Sequence, residues 1–249
     1  MPRLYVVATP IGNLDDLTPR MRWALESASI IAAEDTRVTQ KLLTVMGISR
    51  PIISNHQHNE EARAPRIIER MIAENIDVAV TCDAGTPGIS DPGMELVSAA
   101  WQAGIEVIPV SGPSAVITTL SAAGFDAREF AFYGFLPREN GDLRKKLHAI
   151  AHGPRVAVAY ESPHRIVNLV EQIAREIPGA RVCVCCDLTK KFEKIERGLA
   201  GTVLERLKAN PNVEKGEYCV AIELPEIEED ETPAVQMSPR HMVMDALLE

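Results

Sequence analysis

The chain has 249 residues, of which 46% are hydrophobic and 24% charged, with a formal net charge of −9. That length allows one large or two medium domains with an ample core, and no run of about 20 apolar residues offers a membrane span. Aromatics at 4% argue against a stacking platform for single strands, and the negative balance, part of it the acidic block Glu226–Glu231, neither excludes nor favours an RNA partner.

Short β-branched runs alternate with amphipathic stretches along the first half, the pattern of an α/β protein. Met1–Ala8 has neither the length nor the cleavage site of a signal peptide, so a cytosolic enzyme is expected. Strands are predicted at Leu4–Ala8, Ser29–Ala33, Pro51–Ser54, Asp77–Cys82 and Glu106–Val110, with helices over Thr18–Ser27, Thr36–Met46, Glu60–Glu74, Pro92–Ala103 and Pro113–Gly124. The stretch Asp83–Gly93 between the fourth strand and its helix packs three glycines and two prolines into eleven residues. Such a loop is costly unless it holds a shape: Gly lets a ligand approach the backbone, and Pro fixes the turns. Asp91 is expected to cap the next helix with Pro92 at its first position. A loop at the carboxyl end of a strand is where open α/β sheets bind ligands. The spacing is neither G-x-G-x-x-G nor a P-loop, and an ordinary tight connection is the bland alternative.

A second series follows, with strands at Phe130–Phe135, Arg155–Tyr160, Arg181–Cys186 and Tyr218–Ile222 and helices at Leu143–Ala151, Pro163–Ile177 and Thr202–Ala209. The division expected is an N-terminal α/β domain over 1–124, a C-terminal α/β domain over 125–224 and an acidic tail over 225–249 outside the core, ending in the apolar pattern Met242–Leu248. Cys183, Cys185 and Cys186 crowd one strand, and no second Cys or His cluster matches them. Core thiols are the better reading, with Cys183 and Cys185 on one face and Cys186 on the other. Five cysteines fit a reducing compartment, and no metal is expected.

Each strand end carries a compact motif. These are Thr9-Pro10-Ile11-Gly12-Asn13-Leu14, Glu34-Asp35-Thr36-Arg37, Asp83-Ala84-Gly85-Thr86-Pro87 with Asp91-Pro92-Gly93, and Ser111-Gly112-Pro113-Ser114-Ala115. Gly134-Phe135-Leu136-Pro137, Tyr160-Glu161-Ser162-Pro163-His164-Arg165, Leu188-Thr189-Lys190 and Lys215-Gly216-Glu217 follow in the second half. Parallel strands would bring these loops to one edge and a common cleft. In this order, over about Leu4 to Glu223, the set resembles the tetrapyrrole-methylase-like class of S-adenosylmethionine-dependent methyltransferases. Within that class it is similar to the branch that methylates ribose 2′-hydroxyls of small-subunit ribosomal RNA.

The resemblance implies the tetrapyrrole methylase fold, two α/β domains with S-adenosylmethionine in the cleft between them, and a homodimer. It further implies 2′-O-methylation of a cytidine in the decoding centre of 16S rRNA, within the 30S subunit. Carried over by position, Pro10, Asp83, Ala84, Gly85, Thr86, Ser114 and Ala115 would contact the cofactor from the first domain, and Leu136, Glu161 and Leu188 from the second. Amides freed by Gly85 would meet the cofactor carboxylate. For proton removal or orientation the candidates are Glu34, Asp35, Glu161 and His164. Arg37, Arg165 and Lys190 would hold phosphates or lower a neighbour's pKa. Each has a structural alternative: Asp35 as a helix cap, Arg37 or Arg165 as an ion-pair partner of Glu34 or Glu161.

His56-x-His58-Asn59-Glu60 also matches the family, as a metal set or, better, a loop-to-helix cap or RNA contact. Two departures stand out. Cys186-Asp187 occupies the place of an Arg-Glu pair, and relatives continue for a few tens of residues into a small basic helical segment. A tetrapyrrole-like or other small-molecule acceptor, and a non-catalytic cofactor-binding or ribosome-assembly role, are the alternatives.

Overall fold

The computed structural model describes residues 1–226; most of the acidic block and the Met242–Leu248 pattern lie outside them. In the first half, β1 (Arg3–Val7), β2 (Ile30–Ala33), β3 (Ile52–Ser54), β4 (Val78–Thr81) and β5 (Glu106–Val110) form a parallel sheet of order β3-β2-β4-β1-β5. Every residue of β2 and β4 is buried, as a parallel sheet covered on both faces demands. Alternate side chains divide the two faces. Tyr5, Val7, Ile31 and Ala79 meet α1 (Pro19–Ser27) and α2 (Thr36–Met46) through Met21, Leu25 and Leu43. Leu4, Ala32, Val78 and Val80 meet α3 (Glu60–Glu74) and α4 (Met94–Gln102) through Ile67, Met71 and Leu96.

The helix that closes this series, α5 (Ala115–Ala123), packs on the second sheet, where Val116, Leu120 and Ala123 lie against Val156, Val158, Cys183, Cys185 and Ala221. That sheet comprises β6 (Phe130–Phe135), β7 (Val156–Glu161), β8 (Arg181–Cys186), β9 (Lys194–Leu199) and β10 (Tyr218–Glu223), in the order β6-β7-β10-β8-β9. Its other face is covered by α6 (Asn140–Ala151), α7 (Ile166–Glu176) and α8 (Ala200–Ala209). Ile166, Leu169, Val170 and Ile173 of α7 are fully buried, each contributing about 1.5–3 kcal/mol over an exposed position. Cys183 and Cys185 are buried on the α5 face and Cys186 is half-exposed, as the alternation predicts; all five thiols are free.

The all-parallel expectation fails in this sheet: β10 runs antiparallel to both β7 and β8, and β9 antiparallel to β8. The common edge survives, because β6, β7 and β8 run the same way and β10 begins where they end. Strand β9 was not predicted, since Lys194-Ile195-Glu196-Arg197 carries no apolar run; it is a charged edge strand.

Five helix starts also differ from expectation by two or more residues: α6 and α8 begin earlier, at Asn140 and Ala200, and α4, α5 and α7 begin later. Asp91 caps nothing: α4 begins at Met94, and Gly93 precedes it with φ +133° while donating its N–H to Glu60 Oε2 at 2.7 Å. A Cβ on Gly93 would stand 3.1 Å from Pro87 Cβ, so the loop folds back on itself too tightly for a helical turn at Asp91. Helix α5 starts at Ala115, with Ser114 Oγ accepting from Ile117 N–H. Residues Ser162–Arg165 form a separate turn before α7.

Candidate functional site

Between the two sheets, at the carboxyl ends of β4 and β7, lies a cavity of about 430 Å³, within the range of roughly 300–1,000 Å³ usual for small-molecule sites. The first half lines it with Ile11, Ala84–Thr86, Ile89–Asp91, Ser114 and Ala115; the second contributes Phe135, Tyr160–Pro163, Leu188 and Gly216–Cys219. Two smaller hollows, of about 290 and 350 Å³, lie against α3 and α8; the first shares no lining residue with this cavity and the second shares only Tyr218.

The walls are held in place from both sides. Thr9 and Gly85 pair as an isolated antiparallel bridge, Thr9 N–H to Gly85 O at 2.8 Å and Gly85 N–H to Thr9 O at 3.1 Å. The Gly85 amide itself is therefore used internally. What Gly85 provides is space and shape. Its φ is +86°, favoured by glycine, and a Cβ there would meet only Ile11 Cγ2, at 3.7 Å. Gly12 touches the second half so closely that a Cβ would fall 2.5 Å from Lys190 Cγ. Asp187 and Thr189 flank Leu188 with φ of +51° and +66°, strained backbone of the kind that persists where surroundings over-determine it.

Of the expected cofactor contacts, Ala84, Gly85, Thr86, Ser114, Ala115, Glu161 and Leu188 line the cavity. Pro10 and Asp83 each sit one residue behind a lining position. Leu136 turns its side chain into the second core while Phe135 takes its place at the wall. The lining combines small and aliphatic groups (Ala84, Gly85, Ala115, Ile11, Leu188) with the hydrogen-bonding side chains of Thr86, Ser114 and Glu161, a mixture that fits a cofactor with a flat base and polar ends.

The expected catalytic residues are largely spoken for. Arg165 donates to Glu161 Oε2 at 2.9 Å and to the carbonyls of Leu136 and Pro137 at 2.9 and 3.1 Å. Glu161, 2% exposed, also accepts from Ser162 N–H; burial nonetheless holds its carboxyl above the usual glutamate range. Asp35 caps α2 by accepting from Arg37 N–H and pairs with the Arg37 guanidinium at 2.6 Å, which holds it down at about 2. Arg37 thus pairs with Asp35, not Glu34. Glu34 accepts from Asp83 N–H and Asp83 from Asp35 N–H, both at 3.1 Å, stitching the second and fourth loops together. Burial raises both of these carboxyls. His164 points outward, 3.8 Å from Glu214. Lys190 reaches Glu217 at 2.9 Å and Asp187 at 3.3 Å.

Asp187 also accepts from Glu217 N–H, and a Cβ on Gly216 (φ +90°) would stand 2.7 Å from its Oδ2. The Cys186-Asp187 departure therefore keeps the carboxylate that ties Lys215-Gly216-Glu217 to the cavity. His56–Glu60 is a scaffold: Asn59 Oδ1 accepts from His56 N–H at 2.9 Å, so Asn59 closes its own loop and does not cap α3. Among the described residues no group of three His, Cys, Asp or Glu is placed to hold a metal.

The wall residues not singled out from sequence are Ile11, Ile89, Ser90, Asp91, Phe135, Tyr160, Ser162, Pro163 and Gly216–Cys219. Most sit inside motifs already recognised, so membership of a motif was the available signal. Asp91 was instead assigned to a helix cap. It lies half-buried at the wall, and burial, then the carboxylates of Glu34 and Asp83, push it up to about 6.

A family model described as Tetrapyrrole (Corrin/Porphyrin) Methylases matches residues 3–204. A protein of Xylella fastidiosa named Ribosomal RNA small subunit methyltransferase I is 44% identical over 221 residues, 88% of this chain and 81% of its own. One of the same name from Escherichia coli O157:H7 is 40% identical over 233 residues, 93% of this chain and 81% of its own. Among solved structures, the methyltransferase CobJ superposes with a TM-score of 0.64 at 21% identity, covering 91% of this chain and 97% of that one. The uroporphyrin-III-C-methyltransferase of Thermus thermophilus gives 0.58 at 18%, covering 91% and 100%. At those identities the two structures share the fold with this chain.

Proposed function

The chain belongs to the tetrapyrrole (corrin/porphyrin) methylase family and is an S-adenosylmethionine-dependent methyltransferase, and from that premise we propose that it methylates the 2′-hydroxyl of a cytidine in the decoding centre of 16S rRNA. The observation that carries this reading is the 44% identity, over 88% of the chain, to a relative named for small-subunit ribosomal RNA. The solved methyltransferase structures, at 18–21% identity, share the fold alone.

In this reading the chain divides at residue 124, and the cofactor lies in the cavity against Ala84–Thr86, Ser114, Ala115, Glu161 and Leu188, with Pro10, Asp83 and Leu136 supporting them from behind. When bound it supplies a methyl group on a sulfonium, already activated for displacement. The protein's share is alignment and proton management. Arg165 fixes Glu161 and the Leu136–Pro137 carbonyls at the second-domain wall. Glu34, Asp35 and Asp83 hold the two loops that face it, while Arg37 and Lys190 offer cations at the rim for RNA phosphates. His164, outside the cavity and exposed, serves RNA contact, not the reacting atoms. The enzyme acts in the cytoplasm as a homodimer on the assembled 30S subunit; Met94 and Trp101 on α4 offer exposed apolar surface for pairing.

The test is transfer of labelled methyl from S-adenosylmethionine to 30S subunits from a strain lacking this activity, followed by mapping of the ribose-methylated nucleotide. Label on one decoding-centre cytidine is expected. Label elsewhere, or none with cofactor binding intact, overturns the acceptor assignment.

A further inference from the structure

The arginines of this chain are almost all engaged. Arg3, Arg37 and Arg165 pair with Asp77, Asp35 and Glu161, and Arg20, Arg50 and Arg197 donate to main-chain carbonyls. Among the described residues, Arg63, Arg66 and Arg138 alone carry a guanidinium with neither an ion pair nor a hydrogen bond. Arg63 and Arg66 stand together. With Arg70 they follow the spacing i, i+3, i+7, share one face of α3 and line the hollow of about 290 Å³ beside that helix. The rest of its lining is aliphatic, with Ile53, Ile67 and Ile76, and contains no carboxylate. Arg70 donates to Glu74 at 2.8 Å, but both side chains are about half exposed, and such a surface pair is worth at most about 1 kcal/mol. In a chain of net charge −9 three cations thus rim one apolar recess. The recess reaches Ile30 and Val78, at the amino ends of β2 and β4, whereas the cofactor cavity lies past the carboxyl end of β4. One strand of four residues, about 13 Å, separates the two levels. Helix α3 joins them, because Glu60 at its start holds Gly93 of the cavity loop.

We propose that Arg63, Arg66 and Arg70, with the aliphatic hollow they rim, form a second RNA-docking subsite that grips the phosphates of an unpaired stretch of 16S rRNA flanking the methylated nucleotide. A guanidinium left without a carboxylate is open to bidentate contact with a phosphate. From Arg63 to Arg70 the helix rises about 10 Å, longer than one phosphate and suited to a run of them, while the aliphatic lining gives a sugar face somewhere to rest. Arg37 and Lys190 at the cavity rim are each already neutralised by an acid; the α3 arginines are the stronger electrostatic hold on a polyanion. Phosphate contacts set register and carry no sequence information, so this subsite positions the strand and the cavity selects the nucleotide. The inference rests on the ribosomal RNA reading above.

The experiment compares wild type, Arg63→Gln/Arg66→Gln and Arg63→Lys/Arg66→Lys in binding to 30S subunits between about 50 and 200 mM salt, alongside methyl transfer to them and calorimetric S-adenosylmethionine affinity. Losing two phosphate contacts to a single strand should flatten the slope of log affinity against log salt by about 1.4 and weaken binding at low salt by at least about tenfold. The Lys pair keeps both charges, so it should keep the slope while losing part of the affinity that bidentate geometry supplies. Cofactor affinity should stay within about twofold of wild type in both, since neither arginine lines the cavity. A Gln pair that binds 30S subunits as wild type does, or more weakly with the wild-type salt slope, overturns the subsite. Cofactor affinity that falls in step with 30S binding also overturns it, because α3 would then serve the cavity wall. If the Gln pair does not fold, Arg66→Gln alone should flatten the slope by about 0.7, and an unchanged slope overturns the proposal. Wild type that binds no 30S subunit overturns the ribosomal RNA reading and this one with it, whereas wild type and Gln pair that bind and label 30S subunits equally well overturn this one alone.

Discussion

Removing the Arg165 guanidinium should expose how much of the cavity wall depends on one cation. In Arg165→Met the side-chain volume is nearly kept, but Glu161, 2% exposed, loses its counter-charge, and the carbonyls of Leu136 and Pro137 lose a donor. Breaking a buried pair from one side costs about 3–5 kcal/mol. Since the Arg165 side chain is 23% exposed and water can reach the gap, the low end, about 3 kcal/mol, is expected. For a chain of this size that is roughly a 6–12 °C fall in Tm. Glu161→Gln, whose amide oxygen still accepts from Ser162 N–H, should cost about 1–2 kcal/mol. The double variant should lose less than the sum by at least about 1 kcal/mol, because no charge is then stranded.

The pH dependence has a definite sign. Burial already holds the Glu161 carboxyl above its ordinary value, and losing Arg165 removes a lowering influence, so its native pKa rises further above the unfolded value of about 4.3. The native state then binds more protons than the unfolded one in that window. The stability contributed by protonation is full below about 4.3 and is lost as pH rises through the native pKa. Urea titrations should therefore show a larger Arg165→Met defect at pH 7 than at pH 5. A loss below about 1 kcal/mol, or an equal loss at both pH values, would refute the reasoning.

Three further outcomes can be checked separately. Gly85→Val forces a β-branched residue to φ +86° and fills cavity space, so S-adenosylmethionine affinity should fall at least about tenfold, roughly 1.4 kcal/mol; unchanged calorimetric affinity in a folded variant would remove this loop from the site. Gly112→Ala would place a Cβ 2.1 Å from Met21 Cε and 2.8 Å from Ala8 Cβ, a cost of about 1–3 kcal/mol from overpacking. Gly141→Ala in α6, with nothing within 4 Å, should be neutral or stabilising, and urea midpoints that rank the two the other way contradict the packing. Among the five thiols only Cys186 is not buried, and burial pushes Cys82 up to about 12. Ellman's reagent should thus titrate one fast thiol in the native protein, and a fast thiol that persists in Cys186→Ala would count against this burial pattern.

Local chemistry made the strand-end loops legible. Gly and Pro at Asp83–Gly93, the cap at Asp35 and the apolar runs of β1, β2, β4, β7 and β8 declare themselves over a few residues. What stayed hidden depends on partners far along the chain. The direction of β10 is decided by β7 and β8 on either side of it, and β9 is held by pairing with β8 despite a charged pattern. Asp91 looked like a helix cap because Asp-Pro-Gly suits one; the tie from Glu60 to Gly93, 33 residues away, moves the helix start and leaves the carboxylate at the wall. Ion pairs such as Glu161–Arg165, four residues apart in one motif, could be offered as alternatives from sequence but chosen only once the burial of Glu161 was known.

The order β6-β7-β10-β8-β9 puts the last strand of the described chain in the middle of its sheet. During synthesis β6-β7 and β8-β9 can each pair, but the slot between β7 and β8 stays open until residues 218–223 leave the ribosome. A nascent chain paused before that point exposes two facing strand edges, both flanked by apolar side chains, and such edges recruit strands from other molecules. Because Tyr218 and Cys219 also line the cavity, the same late insertion completes the ligand site. The half-made protein is thus at its most aggregation-prone while it is still unable to be rescued by binding its cofactor.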